Sequence, residues 1–109
     1  MEPLISEIEV LAHVGHVARK VAEKLRIKDF DWLPTVELLT QIDKADSKAR
    51  GHLGSFISAY RHWYAFHREM DQVGKQGFLN SHEAARLVNL VGMRDKTRRE
   101  LADYVKLLP

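Results

Sequence analysis

From Ala45 to Met70, side chains suited to a helix contact recur at every third or fourth position. They are Ala45, Ala49, Leu53, Phe56, Tyr60, Trp63, His67 and Met70. That spacing keeps one stripe on a single side of an α-helix, whereas a strand would need alternation at every second residue. It predicts a long helix over about 44–73 with Asp43 as N-cap. Gly74 or Gly77 in "GKQGF" would close it. Gly51 and Gly54 each weaken such a helix by roughly 1 kcal/mol relative to Ala. Their smallness makes room for a neighbouring backbone.

The same period appears on both sides of this segment. Ile8, Leu11, Ala12, Gly15, Ala18, Ala22 and Leu25 trace a first helix, widened by Val14, Val17 and Val21. Pro3 is tolerated near its start. "KDFDWLPTV" interrupts it, because Pro34 lacks a backbone donor and pushes Leu33 away from helical angles. Phe30, Trp32 and Leu33 are expected to tuck this connector onto the core. A short helix around 34–42 follows. Near the C-terminus, Asn80 with Glu83 three residues later reads as a capping box. The helix it opens, about 81–108, carries Ala84, Leu87, Val88 and Val91, then Leu101, Val105 and Leu108. Between them the stripe turns polar at Arg94, Asp95 and Arg98.

These elements predict an all-α fold in a single domain, residues 1–109. Residues 1–42 supply a helix, a connector and a short helix. Residues 43–109 form a long antiparallel helical hairpin, since short connections make antiparallel neighbours. Each hairpin helix would be roughly 40–45 Å long at 1.5 Å per residue. That length carries more apolar and aromatic surface than one extra helix covers, so a small helical bundle that assembles as a homo-oligomer is expected.

Composition narrows the function classes. With no cysteine there is neither a disulfide framework nor a thiolate metal site. No apolar run approaches the roughly 20 residues that span a bilayer. "MEPLISEIEV" is acidic where a signal peptide would be basic, so a cytoplasmic protein, away from membranes, is expected. Seventeen basic against fifteen acidic side chains give a formal charge of +2, too balanced to announce a nucleic-acid binder. Any such role must come from local clustering.

Three constellations could carry chemistry. The first is "YRHWYAFHREM", residues 60–70. Phe56, Tyr60, Trp63 and Met70 read as a seam facing Leu87, Val91, Leu101 and Val105. The alternative pairs Arg61 with His67. That spacing resembles the R-x(4–6)-H motif of HEPN-type helical ribonucleases, in which the histidine acts in acid–base catalysis and the arginine stabilises phosphate charge. The second is Glu9, His13 and His16, which share a helix face and suit zinc or iron. No matching Glu/His pair on the other helices completes a dimetal site. A solvated or interface-facing stripe, with no metal, is the expectation there. The third is "RDKTRRE", where Arg94, Lys96, Arg98 and Arg99 form the densest basic cluster, suited to phosphates or an acidic partner. No phosphate-binding glycine loop, nucleophile elbow or catalytic carboxylate pair is visible. The expectation is a non-enzymatic protein without a cofactor.

Residues 38–109 resemble the small terminase subunits of phages. "LLTQIDKADSKARGHLGSFISAYRHWYAFHREMDQVGKQGF" is similar in its leucine-rich lead-in, acidic helix start and aromatic long helix ending in Gly. "NSHEAARLVNLVGMRDKTRRELADYVKLLP" is similar in opening near an Asn and closing on a Leu-Ala…Tyr…Leu ending. The resemblance implies rings of helical subunits that hand double-stranded DNA to a large terminase subunit. Most members add an N-terminal helix–turn–helix. Residues 1–42 show no recognition helix, so the implied type is a pared-down one, as in gene transfer agents or prophages. Weak, non-specific DNA binding follows from it. A helical adaptor or inhibitor of another protein is a further alternative.

Overall fold

The computed structural model describes residues 6–75 and 77–108. Pro3 and the side chain of Trp32 lie outside the described part. All regular structure among the described residues is helical. Helix α1 spans Glu7–Lys24, α2 Thr35–Ala45, α3 Ser47–Gln72 and α4 Ser81–Lys106, with a 3-10 turn at Phe30–Trp32. No described helix is long and apolar enough to cross a membrane.

Helix α1 starts where the Ser6 hydroxyl accepts the Glu9 N–H at 3.2 Å, satisfying one orphan donor of the first turn. It ends in a Schellman arrangement. The Arg26 N–H donates to Glu23 O and the Ile27 N–H to Ala22 O, both at 3.0 Å. Arg26 therefore sits at φ 58°, in the left-handed region. Arg19 pins the following connector to α1. It pairs with Asp31 at 2.9 Å and lies over the Phe30 ring at 5.5 Å.

The boundary between α2 and α3 differs from the one read in the sequence. Helix α2 continues through Asp43 to Ala45, and Asp46, not Asp43, caps α3. Leu39 and Ile42 are buried, so the packing that holds α2 extends to its last turn. Asp46 takes extended geometry, and its Oδ1 accepts from the Lys48 and Ala49 N–H groups at 3.0 and 3.1 Å. The Tyr104 hydroxyl, 58 residues away, donates to both carboxylate oxygens at 2.9 and 2.8 Å. One residue thus caps α3 and ties down the end of α4.

This tie is pH-sensitive. The Tyr104 hydrogen bond, with the Ala49 and Lys48 N–H groups, holds the Asp46 carboxyl below its ordinary value of 3.8 against a smaller desolvation effect. A lowered carboxyl stabilises the fold above its unfolded pKa, and that contribution disappears as pH falls through the folded value. The same hydrogen bond raises Tyr104 above 10.0, so its contribution is complete below that value and fades as pH climbs through the raised one. Tyr104→Phe should therefore melt at a lower temperature than wild type near neutral pH. The two curves should converge as pH falls below 3.8. A constant offset across the acid range would show that the tie does not titrate.

Helices α3 and α4 form the largest interhelical contact, with α1 and α2 also packed against α3. The core joins Val10, Val14 and Val21 of α1, Leu39 and Ile42 of α2, Ala49, Leu53 and Phe56 of α3, and Leu101 of α4. Leu101 is the one buried side chain α4 contributes among the described residues. Leu87, Val91 and Val105 are half-buried, and Val88 is open to solvent. Along α3, Phe56 and Met70 are buried, and so is Phe66. Tyr60, Trp63 and His67 are only half-buried. Phe66 lies about 80° around the helix from Phe56, on a side where Arg86 of α4 covers its ring at 4.9 Å.

The connection from α3 to α4 turns at Gly74, φ +69°. Its N–H donates to Asp71 O at 3.1 Å and the Lys75 N–H to Met70 O at 2.9 Å, a second Schellman arrangement. Nothing lies within 4 Å of where a Cβ would stand. Gly74→Ala should thus cost about 1–2 kcal/mol from backbone strain alone. The reverse exchange, Arg26→Gly, should gain up to about 1 kcal/mol. Urea titrations of both variants check this, and equal signs would contradict it.

Candidate functional site

Successive helical residues are turned by about 100°, so a basic run in the sequence need not form one patch. The run Arg94, Lys96, Arg98, Arg99 is divided among three surroundings. Arg94 turns toward α3. Its guanidinium lies 4.4 Å over the Trp63 ring and its Nε donates to Asp95 at 3.2 Å. Lys96 lines a groove of about 750 Å³ between α3 and α4, shared with His62, Met93 and Glu100. Arg98 and Arg99 lie beside α1.

There they border a second groove of about 330 Å³, between α1 and α4. Lys20 and His16 of α1 and Lys106 of α4 complete its rim. Val17, Val21, Leu101, Ala102 and Val105 line it with apolar surface. No Asp or Glu is among its lining residues. The groove continues past Lys20 and Val105 to Lys24 and Arg26, where Glu23 is the one carboxylate. Among the described residues, none of Lys20, Arg98, Arg99 and Lys106 makes an ion pair. Four cations from two helices thus surround one cleft without internal neutralisation. Such a lining is chemically suited to an anionic ligand.

Lys20 and Lys106 did not stand out in the sequence, and His16 was read there as a possible metal ligand with Glu9 and His13. Lys106 follows Arg99 by seven residues, which is two helical turns, so its shared face was legible. Nothing local showed that α1 lies beside α4.

The aromatic residues on α3 form a connected group. Tyr60 meets Trp63 edge-on at 5.3 Å, and His67 stacks on Trp63 at 5.3 Å with 7° between planes. His13 of α1 packs on Tyr64 at 4.5 Å. Burial pushes the Tyr60 hydroxyl up, with Arg94 pulling the other way. The group therefore links α3 to α1 through His13 and to α4 through Arg94. Arg61 and His67 are about 9 Å apart along the axis and about 120° apart around it. Arg61 is half-buried, and its Nε is enclosed without a hydrogen-bond partner among the described residues.

The three α1 residues read as possible metal ligands have separate surroundings. Glu9 pairs with Arg68 at 3.7 Å, His13 lies on Tyr64, and His16 borders the cationic groove. Among the described residues, no three His, Cys, Asp or Glu side chains could together hold a metal ion.

Comparison with known protein families, curated proteins and solved structures finds no match to this chain.

Proposed function

We propose that this chain is a DNA-packaging protein of the small-terminase type. In this reading it assembles into a homo-oligomer, holds duplex DNA weakly through phosphates, and presents it to a large terminase motor. The observation that carries the reading is the groove between α1 and α4, where none of Lys20, Arg98, Arg99 and Lys106 is neutralised by an ion pair among the described residues. Phosphate contacts carry no sequence information, so the binding is non-specific. The formal charge of +2 keeps a single copy weak. Repetition of the groove around an oligomer raises avidity through effective concentration.

The oligomer has its own support. Gly51 and Gly54 lie on the groove between α3 and α4, and nothing within 4 Å would touch a Cβ on either. Their cost to α3, roughly 1 kcal/mol each, has no return among the described residues. Close approach of another backbone would account for them. Lys96 and Glu100, one turn apart on that rim, can pair reciprocally across a two-fold axis.

Fluorescence anisotropy on several unrelated duplexes, with light scattering on the same sample, tests the reading. Similar low-salt binding to all duplexes by a species heavier than one chain is expected. Tight binding to one sequence alone, or a monomer that binds no DNA, contradicts it. The rival reading, a ribonuclease using Arg61 and His67, predicts metal-independent cleavage of single-stranded RNA. That activity would have to vanish in both Arg61→Ala and His67→Ala.

A further inference from the structure

The phosphate reading accounts for the rim of the α1/α4 groove and leaves its floor unexplained. A DNA backbone uses cations and has no need of Val17, Leu101, Ala102 and Val105 between them. The floor exists because α1 and α4 both pack onto α3 while leaving a cleft between themselves. Two helices flanking an apolar trough are the setting for helix-in-groove recognition, in which apolar residues at i, i+3 or i+4, and i+7 enter the trough. The rim then selects charge. It presents Lys20 from one side and Arg98, Arg99 and Lys106 from the other, with no carboxylate among the lining residues.

We propose that this groove seats an acidic amphipathic helix of a partner protein, its apolar stripe on Val17, Ala102 and Val105 and its carboxylates on Lys20, Arg98 and Arg99. The inference rests on reading the groove as the chain's anion site. It adds that the partner helix and duplex DNA compete for the same cations, so docking the helix releases DNA. Ala102 distinguishes the two ligands. It is exposed on the floor of the groove. Ala102→Arg fills the trough while adding a cation, and Arg is well tolerated within a helix.

The experiment uses the full chain and two labelled 18-residue peptides of identical composition. One places Leu at helical i, i+3, i+4 and i+7 positions flanked by Glu. The other has the same residues scrambled. Anisotropy should show the amphipathic peptide binding at least tenfold tighter than the scrambled one and displacing labelled duplex. Ala102→Arg, its helicity verified by circular dichroism, should weaken the amphipathic peptide at least tenfold and leave DNA binding equal or tighter. Equal affinity for both peptides, no affinity for either, or parallel loss of peptide and DNA in Ala102→Arg would overturn the proposal. The DNA measurement on wild type stands separately. If the peptide behaves as expected and DNA does not bind, the packaging reading falls and the docking site remains.

Discussion

Phe56→Ala is expected to lower stability by about 3–5 kcal/mol, the range for removing a buried aromatic side chain and leaving a cavity. Phe56 is 3% exposed and belongs to the cluster where α1, α2, α3 and α4 meet. In a chain of this size each kcal/mol moves the melting temperature by roughly 4–8 °C, so the drop should exceed 10 °C. Trp63→Ala should cost less, about 1–3 kcal/mol, because Trp63 is half-buried and part of its contact is with Arg94 and His67. Urea denaturation followed by circular dichroism compares the two. A larger loss at Trp63 than at Phe56 would place the main contact of α3 in its second half instead of its first.

The second large effect is on DNA. Each phosphate neutralised contributes about −0.9 to the slope of log K against log salt. Four rim cations acting together give a slope near −3.6, so a fourfold rise in salt should weaken binding by roughly a hundredfold. Arg98→Glu with Arg99→Glu removes half of those contacts and adds two repulsive charges. Both side chains are exposed, so the fold should survive. The double variant should bind weakly even at low salt, with a slope nearer half the wild-type value. Unchanged affinity and slope would remove these two arginines from the site.

The long helices were legible because a three/four spacing is a property of the local chain. So was the capping box at α4. The Asn80 side chain accepts the Glu83 N–H at 2.8 Å, and Glu83 accepts the Asn80 N–H at 3.1 Å. The start of α3 was harder to read, since Asp43 and Asp46 are equally good caps by residue type. The choice is made by burial of Ile42 and by a hydroxyl on Tyr104, 58 residues distant. Neither is a local property. Phe66 was missed for a related reason. Phe66 lies about 80° off the stripe, and the facing element, with Arg86 at 4.9 Å over the Phe66 ring, decides which residues turn inward.

The candidate site was half legible. "RDKTRRE" identified Arg98 and Arg99 but joined them to Arg94, which lies over Trp63, and Lys96, which lines the groove between α3 and α4. The α1 half of the groove, Lys20 and His16, lies about 80 residues away in the chain. Its place beside α4 is set by how both helices pack on α3. The terminase resemblance rests on spacing and composition in residues 38–109.

The most direct of these compares Lys20→Glu with Lys96→Glu in the DNA salt series. Lys96 lies in the basic run of the sequence but faces the groove between α3 and α4, opposite the proposed site. Lys20 lies on α1, outside that run, and borders the site. If the groove between α1 and α4 holds DNA, Lys20→Glu should weaken low-salt binding about tenfold or more and flatten the salt slope by about 0.9. Lys96→Glu should leave that slope unchanged. Loss of binding in Lys96→Glu with none in Lys20→Glu would contradict the groove as the DNA site.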